Sequence, residues 1–196
     1  MLALIAALAF ASTPSRIEQL EFRAPDATVV RYGFAAPPGC TAERPCPLVL
    51  ALHPAGNARD YGSAFMRSIV LPGLANLGGI VIAPDCPGKS WNDPDADARV
   101  MALVADVVAN HHVDRRQILV TGFSMGGRGT WSLASRHPDM FTAAIPMASS
   151  VADAPADTLP GLGTSGVTLE FGALWDPALP ATAPPSFASF LSGSMP

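Results

Sequence analysis

Four short apolar runs constrain this chain more than any other feature. They are Leu48-Val49-Leu50-Ala51-Leu52, Ile80-Val81-Ile82-Ala83, Ile118-Leu119-Val120 and Ala143-Ala144-Ile145-Pro146-Met147. None alternates apolar with polar residues. A continuous run of this length is expected of a strand covered on both faces. The intervening segments differ. Residues 60–70 read as a weak helical stretch. Residues 95–110 carry Ala, Val and Leu at helical spacing after Asp93 and Pro94, which are starting signals. Residues 125–136 read as a helix ending before Pro138. Strands alternating with helices imply βαβ units and a mostly parallel sheet. The expected fold is therefore α/β, a three-layer sandwich. In such sheets a ligand site lies beyond the carboxyl ends of the strands.

The remaining segments are read more simply. Residues 17–24 and 28–35 are rich in β-branched and aromatic residues and read as an opening strand pair, with Pro37, Pro38 and Gly39 marking a loop. Val167-Thr168-Leu169-Glu170-Phe171 reads as a fifth strand. From about residue 155 the chain becomes dense in Pro, Ala, Ser, Thr and Gly, an atypical tail to a single domain over 12–196. With 49% hydrophobic and 14% charged residues, the chain has material for one buried core. Its formal charge of −4, without any basic run, gives no footprint for nucleic acid.

Residues 1–11 form an apolar stretch too short to span a bilayer, ending Ala9-Phe10-Ala11 in the small-x-small form of a signal cleavage site. No Lys or Arg precedes it; a misassigned start or a buried strand is the alternative. The expectation is a signal peptide and a secreted or periplasmic chain without a membrane span. Cys40 and Cys46 flank a short loop and are able to pair in an oxidising compartment. The count of three leaves one thiol over, and Cys86 reads as a small buried apolar residue. No cysteine pair has metal-ligand spacing beside a histidine, so no metal is expected.

The chemistry is carried by Gly122-Phe123-Ser124-Met125-Gly126, a G-x-S-x-G motif that follows one buried strand and opens a helix. The bare motif arises by chance in on the order of one chain in fifteen of this length, so its context decides. A serine on a tight strand-to-helix turn has a strained backbone, and its neighbours two away must be small. The helix N-terminus then lies beneath a developing oxyanion. The backbone N–H of Met125 is the first candidate oxyanion donor. The second is expected from the loop His53-Pro54-Ala55-Gly56-Asn57. Pro54 has no N–H, so Ala55 is chosen. Read plainly, the same loop is an ordinary turn.

Taken together, Val113-Asp114-Arg115-Arg116-Gln117-Ile118, the segment 122–131, Arg136-His137-Pro138-Asp139-Met140-Phe141, Ala144-Ile145-Pro146 and Ala83-Pro84-Asp85-Cys86-Pro87 with Trp91 resemble bacterial esterases and predicted peptidases of the α/β-hydrolase superfamily, near the feruloyl-esterase and polyhydroxybutyrate-depolymerase-like group. The resemblance covers residues 45–150. It implies secreted or periplasmic hydrolysis of small-molecule or polymeric carboxylic esters by a Ser-His-Asp triad, without a cofactor. The chain departs from the family at His53-Pro54, where His-Gly is usual.

The triad order in this superfamily is serine, acid, histidine. Phe171-Gly172-Ala173-Leu174-Trp175-Asp176-Pro177 resembles the strand end that bears the acid, making Asp176 the candidate and Asp153 the fallback; an Asp-Pro turn is the plain alternative. No histidine follows His137. His137 ends the helix that Ser124 begins, about 20 Å away at 1.5 Å per residue. His111 and His112 end the preceding helix at the opposite sheet edge. His53 is at the right edge, but beside the oxyanion loop. It is assigned, with Trp91, to substrate binding, although Trp91 reads more naturally as a core anchor. The composition after residue 160 points to a truncated or frame-shifted product rather than a non-catalytic relative. The expected function is ester hydrolysis through an acyl-enzyme on Ser124, with a serine peptidase or a binding module on the same scaffold as alternatives.

Overall fold

The computed structural model describes residues 16–149 and the strand pair of residues 168–169. Residues 1–11, Asp153, Asp176 and the tail lie outside the described residues. The sheet has seven described strands: β1 (Glu18–Arg23), β2 (Val29–Ala35), β3 (Cys46–Leu52), β4 (Ile80–Pro84), β5 (Val113–Phe123), β6 (Ala143–Met147) and β7 (Thr168–Leu169). Their spatial order is β1-β2-β4-β3-β5-β6-β7. β1 and β2 run antiparallel to their neighbours, and β4, β3, β5, β6 and β7 are mutually parallel.

The apolar runs are the central strands, and their periodicity of two sorts them onto two faces. Leu48, Leu50 and Leu52 join Ile80, Ile82, Ile118 and Val120 in one core with α3 (Pro94–Asn110) and α4 (Met125–Arg136). Val49, Ala51, Val81, Ala83 and Leu119 face a second core closed by Phe65, Met66 and Val70. These three residues belong to α1 (Tyr61–Phe65) and the π-helical turn Met66–Val70, which runs on into α2 (Leu71–Gly73). The expected weak helix at 60–70 is thus a helical segment with a π-wound middle. Apolar material on both faces explains why no central strand alternates.

α3 begins where its signals stand. Asp93 caps it, accepting the Asp95 N–H at 3.1 Å, and Pro94 occupies the first turn. β5 starts earlier than its apolar run, at Val113. Its polar residues 114–117 lie at the amino end, where the register against β3 shifts between Cys46 and Leu48. Cys40 and Cys46 are joined by a disulfide. Cys86 is free, in keeping with the odd cysteine count, but is only partly buried rather than buried as expected.

β3 is followed by β4 on one side and flanked by β5 on the other. The chain order reverses there, and the carboxyl ends of β3 and β5 open a crevice between their loops.

Candidate active site

Ser124 stands at the end of β5, with φ 53° and ψ −110°. This lies outside the regions favoured by residues bearing a Cβ and is held at a cost of order 1–3 kcal/mol. Backbone contacts enforce it. The Ser124 N–H donates to the Met147 carbonyl at 2.9 Å, and the Ser124 carbonyl accepts the Arg128 N–H at 3.0 Å. The flanking glycines are needed for close approach. A Cβ on Gly126 would sit 1.9 Å from the Leu52 carbonyl oxygen, and one on Gly122 would sit 2.3 Å from that of Gly126. Ser124 precedes α4 as its N-cap but makes no side-chain capping bond, so its hydroxyl is not spent on the helix.

The elbow borders a cavity of about 600 Å³. Met125, the first residue of α4, forms part of its wall, and so do Ala55 and His53 from the loop after β3 and Asp85 and Cys86 from the loop after β4. The structure therefore gathers Ser124, Met125, Ala55 and His53 at the carboxyl ends of β5 and β3. Ala55 lies on an exposed turn. Gly56 follows with φ 153°, where a side chain would strike the Tyr61 ring at 2.6 Å.

His53 is 1% exposed, and its ring is fully employed. Nδ1–H donates to the Pro54 carbonyl at 2.6 Å, while Nε2 accepts the Cys86 N–H at 3.0 Å. The two bonds define a neutral imidazole with no lone pair left over. Burial pushes its pKa down, against smaller opposing effects from the Pro54 carbonyl and Asp85. The ring packs against Tyr61 and edge-on against Trp91, at 4.7 and 5.0 Å between centroids. His53 is a strut between the loops after β3 and β4. Its ring nitrogens are taken by these bonds, and His53 meets the cavity as part of its wall.

Trp91 departs from its assignment to substrate binding and takes the core-anchor place that is its more natural reading. It is 1% exposed, its Nε1–H donates to the His53 carbonyl at 2.9 Å, and it does not line the cavity. Packing against Gly129 of α4 leaves no room there for a Cβ, which would meet the Trp91 Cβ at 2.3 Å and the indole Cγ at 2.8 Å. Trp91 is a core anchor beneath the site.

Asp85 was not singled out as a functional residue. Its two carboxylate oxygens accept the N–H groups of Asp60 and Gly62, both at 2.9 Å, and so hold the start of α1 to the end of β4. An acid immediately after a buried strand was its only signal. Cys86 also borders the cavity; burial, the largest influence on it, pushes its thiol pKa up and keeps it protonated.

The remaining histidines lie elsewhere. His137 Nε2 is 2.6 Å from Asp97 Oδ1, and Arg136 Nη1 bonds the other oxygen at 3.0 Å. Burial raises the Asp97 pKa, but the bonds from His137 and Arg136 outweigh it and hold the carboxyl below its ordinary range. His111 is the C-cap of α3 and stacks on Phe34 at 4.6 Å; His112 is exposed at the start of β5. Among the described residues, no group of three His, Cys, Asp or Glu side chains is arranged to hold a metal.

Comparison with known proteins agrees with this geometry. The structure superposes on a thermostable esterase with a TM-score of 0.62 and 22% identity, covering 79% of this chain and 54% of that one. Residues 97–190 match the Esterase family. The chain thus has the fold of these esterases, and its residues 97–190 resemble the Esterase family. It is 32% identical over 110 residues to feruloyl esterase B of Thermothelomyces thermophilus, covering 50% of this chain and 37% of that enzyme. It is 36% identical over 81 residues to cutinase est1 of Thermobifida alba, covering 38% and 27%. An S-formylglutathione hydrolase from Staphylococcus aureus shares the fold at a TM-score of 0.53 and 21% identity, over 68% of this chain and 57% of that one. The matched segments thus span about a third of the curated relatives' length.

Proposed function

We propose that this hydrolase-fold chain cleaves carboxylic esters through an acyl-enzyme on Ser124. Ser124 Oγ attacks the acyl carbon, the alcohol departs with a proton, and water then releases the acid and frees the serine. The N–H groups of Met125 and Ala55 hold the oxyanion; the serine proton would go to a histidine oriented by Asp176, a base that none of the four histidines of this sequence is placed to supply. The observation that carries the reading is the backbone of Ser124. A positive φ on a non-glycine residue, held by backbone hydrogen bonds to Met147 and from Arg128 between two glycines with no room for a Cβ, is conformational strain. It is useful for lifting a hydroxyl over the first N–H groups of a helix. The cavity bordered by both Met125 and Ala55 gives an acyl group somewhere to lie. The Cys40–Cys46 disulfide supports residence outside the reducing cytosol, in agreement with a signal peptide over residues 1–11.

A second reading, a binding module on a hydrolase scaffold, is favoured by one observation: none of the four histidines is presented as a free base to Ser124. Losing the base of such a triad costs on the order of 10⁶-fold in turnover. A fluorophosphonate probe with mass-spectrometric mapping separates the two. Labelling at Ser124, absent in Ser124→Ala, is the expected result. A folded chain that stays unlabelled overturns the hydrolase reading in favour of the module.

A further inference from the structure

The wall of the cavity beside Ser124 has a charge pattern opposite to that of the chain. The sequence has 16 acidic residues against 12 Lys and Arg. Yet the cavity is bordered by Arg31, Arg59 and Lys89, and by a single carboxylate, Asp85. The three cations come from different elements: β2, the loop after β3 and the loop after β4. They are brought together by the same bonds that build the site. The Asp85 N–H donates to the Arg31 carbonyl at 2.8 Å, and the Asp85 side chain holds the segment following Arg59.

The cations are not consumed by internal pairing. Arg31 lies 4.0 Å from Glu21 and Arg59 lies 3.9 Å from Asp60, both at the outer limit of an ion pair between exposed side chains. Neither acid borders the cavity. Lys89 has no hydrogen bond or ion pair among the described residues. Asp85 already receives two N–H groups, so its charge is partly satisfied within the protein. The other titratable groups on the wall are uncharged at neutral pH: His53 is neutral by its bonding pattern and Cys86 is a protonated thiol. A concave wall with an excess of positive charge concentrates anions and draws them in.

We infer that this cavity selects esters whose acid or alcohol portion bears an anionic group, a carboxylate or a phosphate, held by Arg31, Arg59 and Lys89 while the ester carbonyl faces Met125 and Ala55. The ester part of this statement rests on the proposed hydrolase activity; the anion preference does not.

Equilibrium titration of the full chain with probes that cannot be hydrolysed tests it. Glutaramate carries a carboxylate, 4-phosphonobutanamide a phosphonate in place of phosphate, and glutaramide is the neutral counterpart. At least one anionic probe is expected to bind ten-fold or more tightly than glutaramide, and the two anionic arms tell which group is preferred. Raising the salt from about 0.05 to 0.5 M shrinks the advantage as the charges are screened. The double substitution Arg59→Glu, Lys89→Glu, both at exposed positions, abolishes it without moving the thermal midpoint. Equal affinity for all three probes, or an anion preference that survives the double reversal, overturns the inference. Fluorophosphonate labelling of the same preparation keeps the two claims apart. A labelled chain without anion preference sinks only this inference, and an unlabelled chain that prefers anions sinks only the hydrolase reading.

Discussion

The two ends of α4 make opposite use of similar chemistry. At the N-terminal end, Ser124 is strained, its hydroxyl makes no capping bond, and the first turn of the helix faces a cavity. At the C-terminal end, Arg136 and His137 close on Asp97 of α3, at 3.0 and 2.6 Å. The second end contains an acid–histidine pair with the short spacing of a catalytic dyad. It has no nucleophile, because the twelve residues of α4 separate it from Ser124 by about 18 Å at 1.5 Å per residue. The lesson is that pairing geometry alone does not identify a catalytic base. The saturated end locks α4 onto α3, and the strained end stores conformational energy where a reaction would use it.

Substitutions that break this contrast are ranked by their expected size. Gly126→Val should be the most damaging. Its Cβ is directed at the Leu52 carbonyl, a backbone atom that cannot swing aside, so the loss should be on the order of 3 kcal/mol in urea unfolding, with loss of any Ser124 labelling. Asp97→Asn should follow, at about 2 kcal/mol, because it removes a charge that accepts two bonds at a largely buried position. Labelling at the other end of the helix should persist. If Asp97→Asn abolished labelling while the protein stayed folded, the separation of the two ends would be wrong.

Two smaller changes sharpen the contrast. Ser124→Gly should stabilise the fold by about 1 kcal/mol, since glycine tolerates the positive φ that serine bears under strain. A destabilised Ser124→Gly variant would show that the strain is not real. Trp91→Phe should cost about 1 kcal/mol by leaving the buried His53 carbonyl without its indole donor.

Acid should also distinguish the two ends. The His53 pKa is lowered by burial, so the unfolded chain takes up its proton first. Stability from that group is complete above the ordinary imidazole range and declines as pH falls through it toward the folded value. Asp97 is likewise held below its ordinary range. Its contribution is complete above the unfolded carboxyl pKa and is lost as pH falls through the lower folded one. Denaturant midpoints measured across pH should therefore fall in two stages, and Asp97→Asn should remove part of the more acidic stage alone.

Some features were legible because they are local. Continuous apolar runs such as Leu48–Leu52 declare strands covered on both faces. Asp93 and Pro94 declare the start of α3, and Gly122-Phe123-Ser124-Met125-Gly126 declares a turn that only small neighbours allow. Each depends on contacts within a few residues or on the backbone's own sterics, so the linear order of side chains was enough.

Other features depended on groups far apart in the chain. His53 reads in sequence as a substrate contact until the Cys86 N–H, 33 residues away, occupies its Nε2. The sequence leaves Trp91 between a pocket wall and a core anchor until the His53 carbonyl, 38 residues away, takes its N–H and places it in the core. Likewise, Arg31, Arg59 and Lys89 are unremarkable surface charges in sequence and become one electrostatic wall only where the ends of β2, β3 and β4 meet. The amino-acid order by itself determined the layered α/β scaffold and the position of the serine turn. The tertiary structure decided which polar groups are spent holding the scaffold and which remain to meet a substrate, because a side chain's hydrogen-bonding capacity is allotted by its neighbours in space.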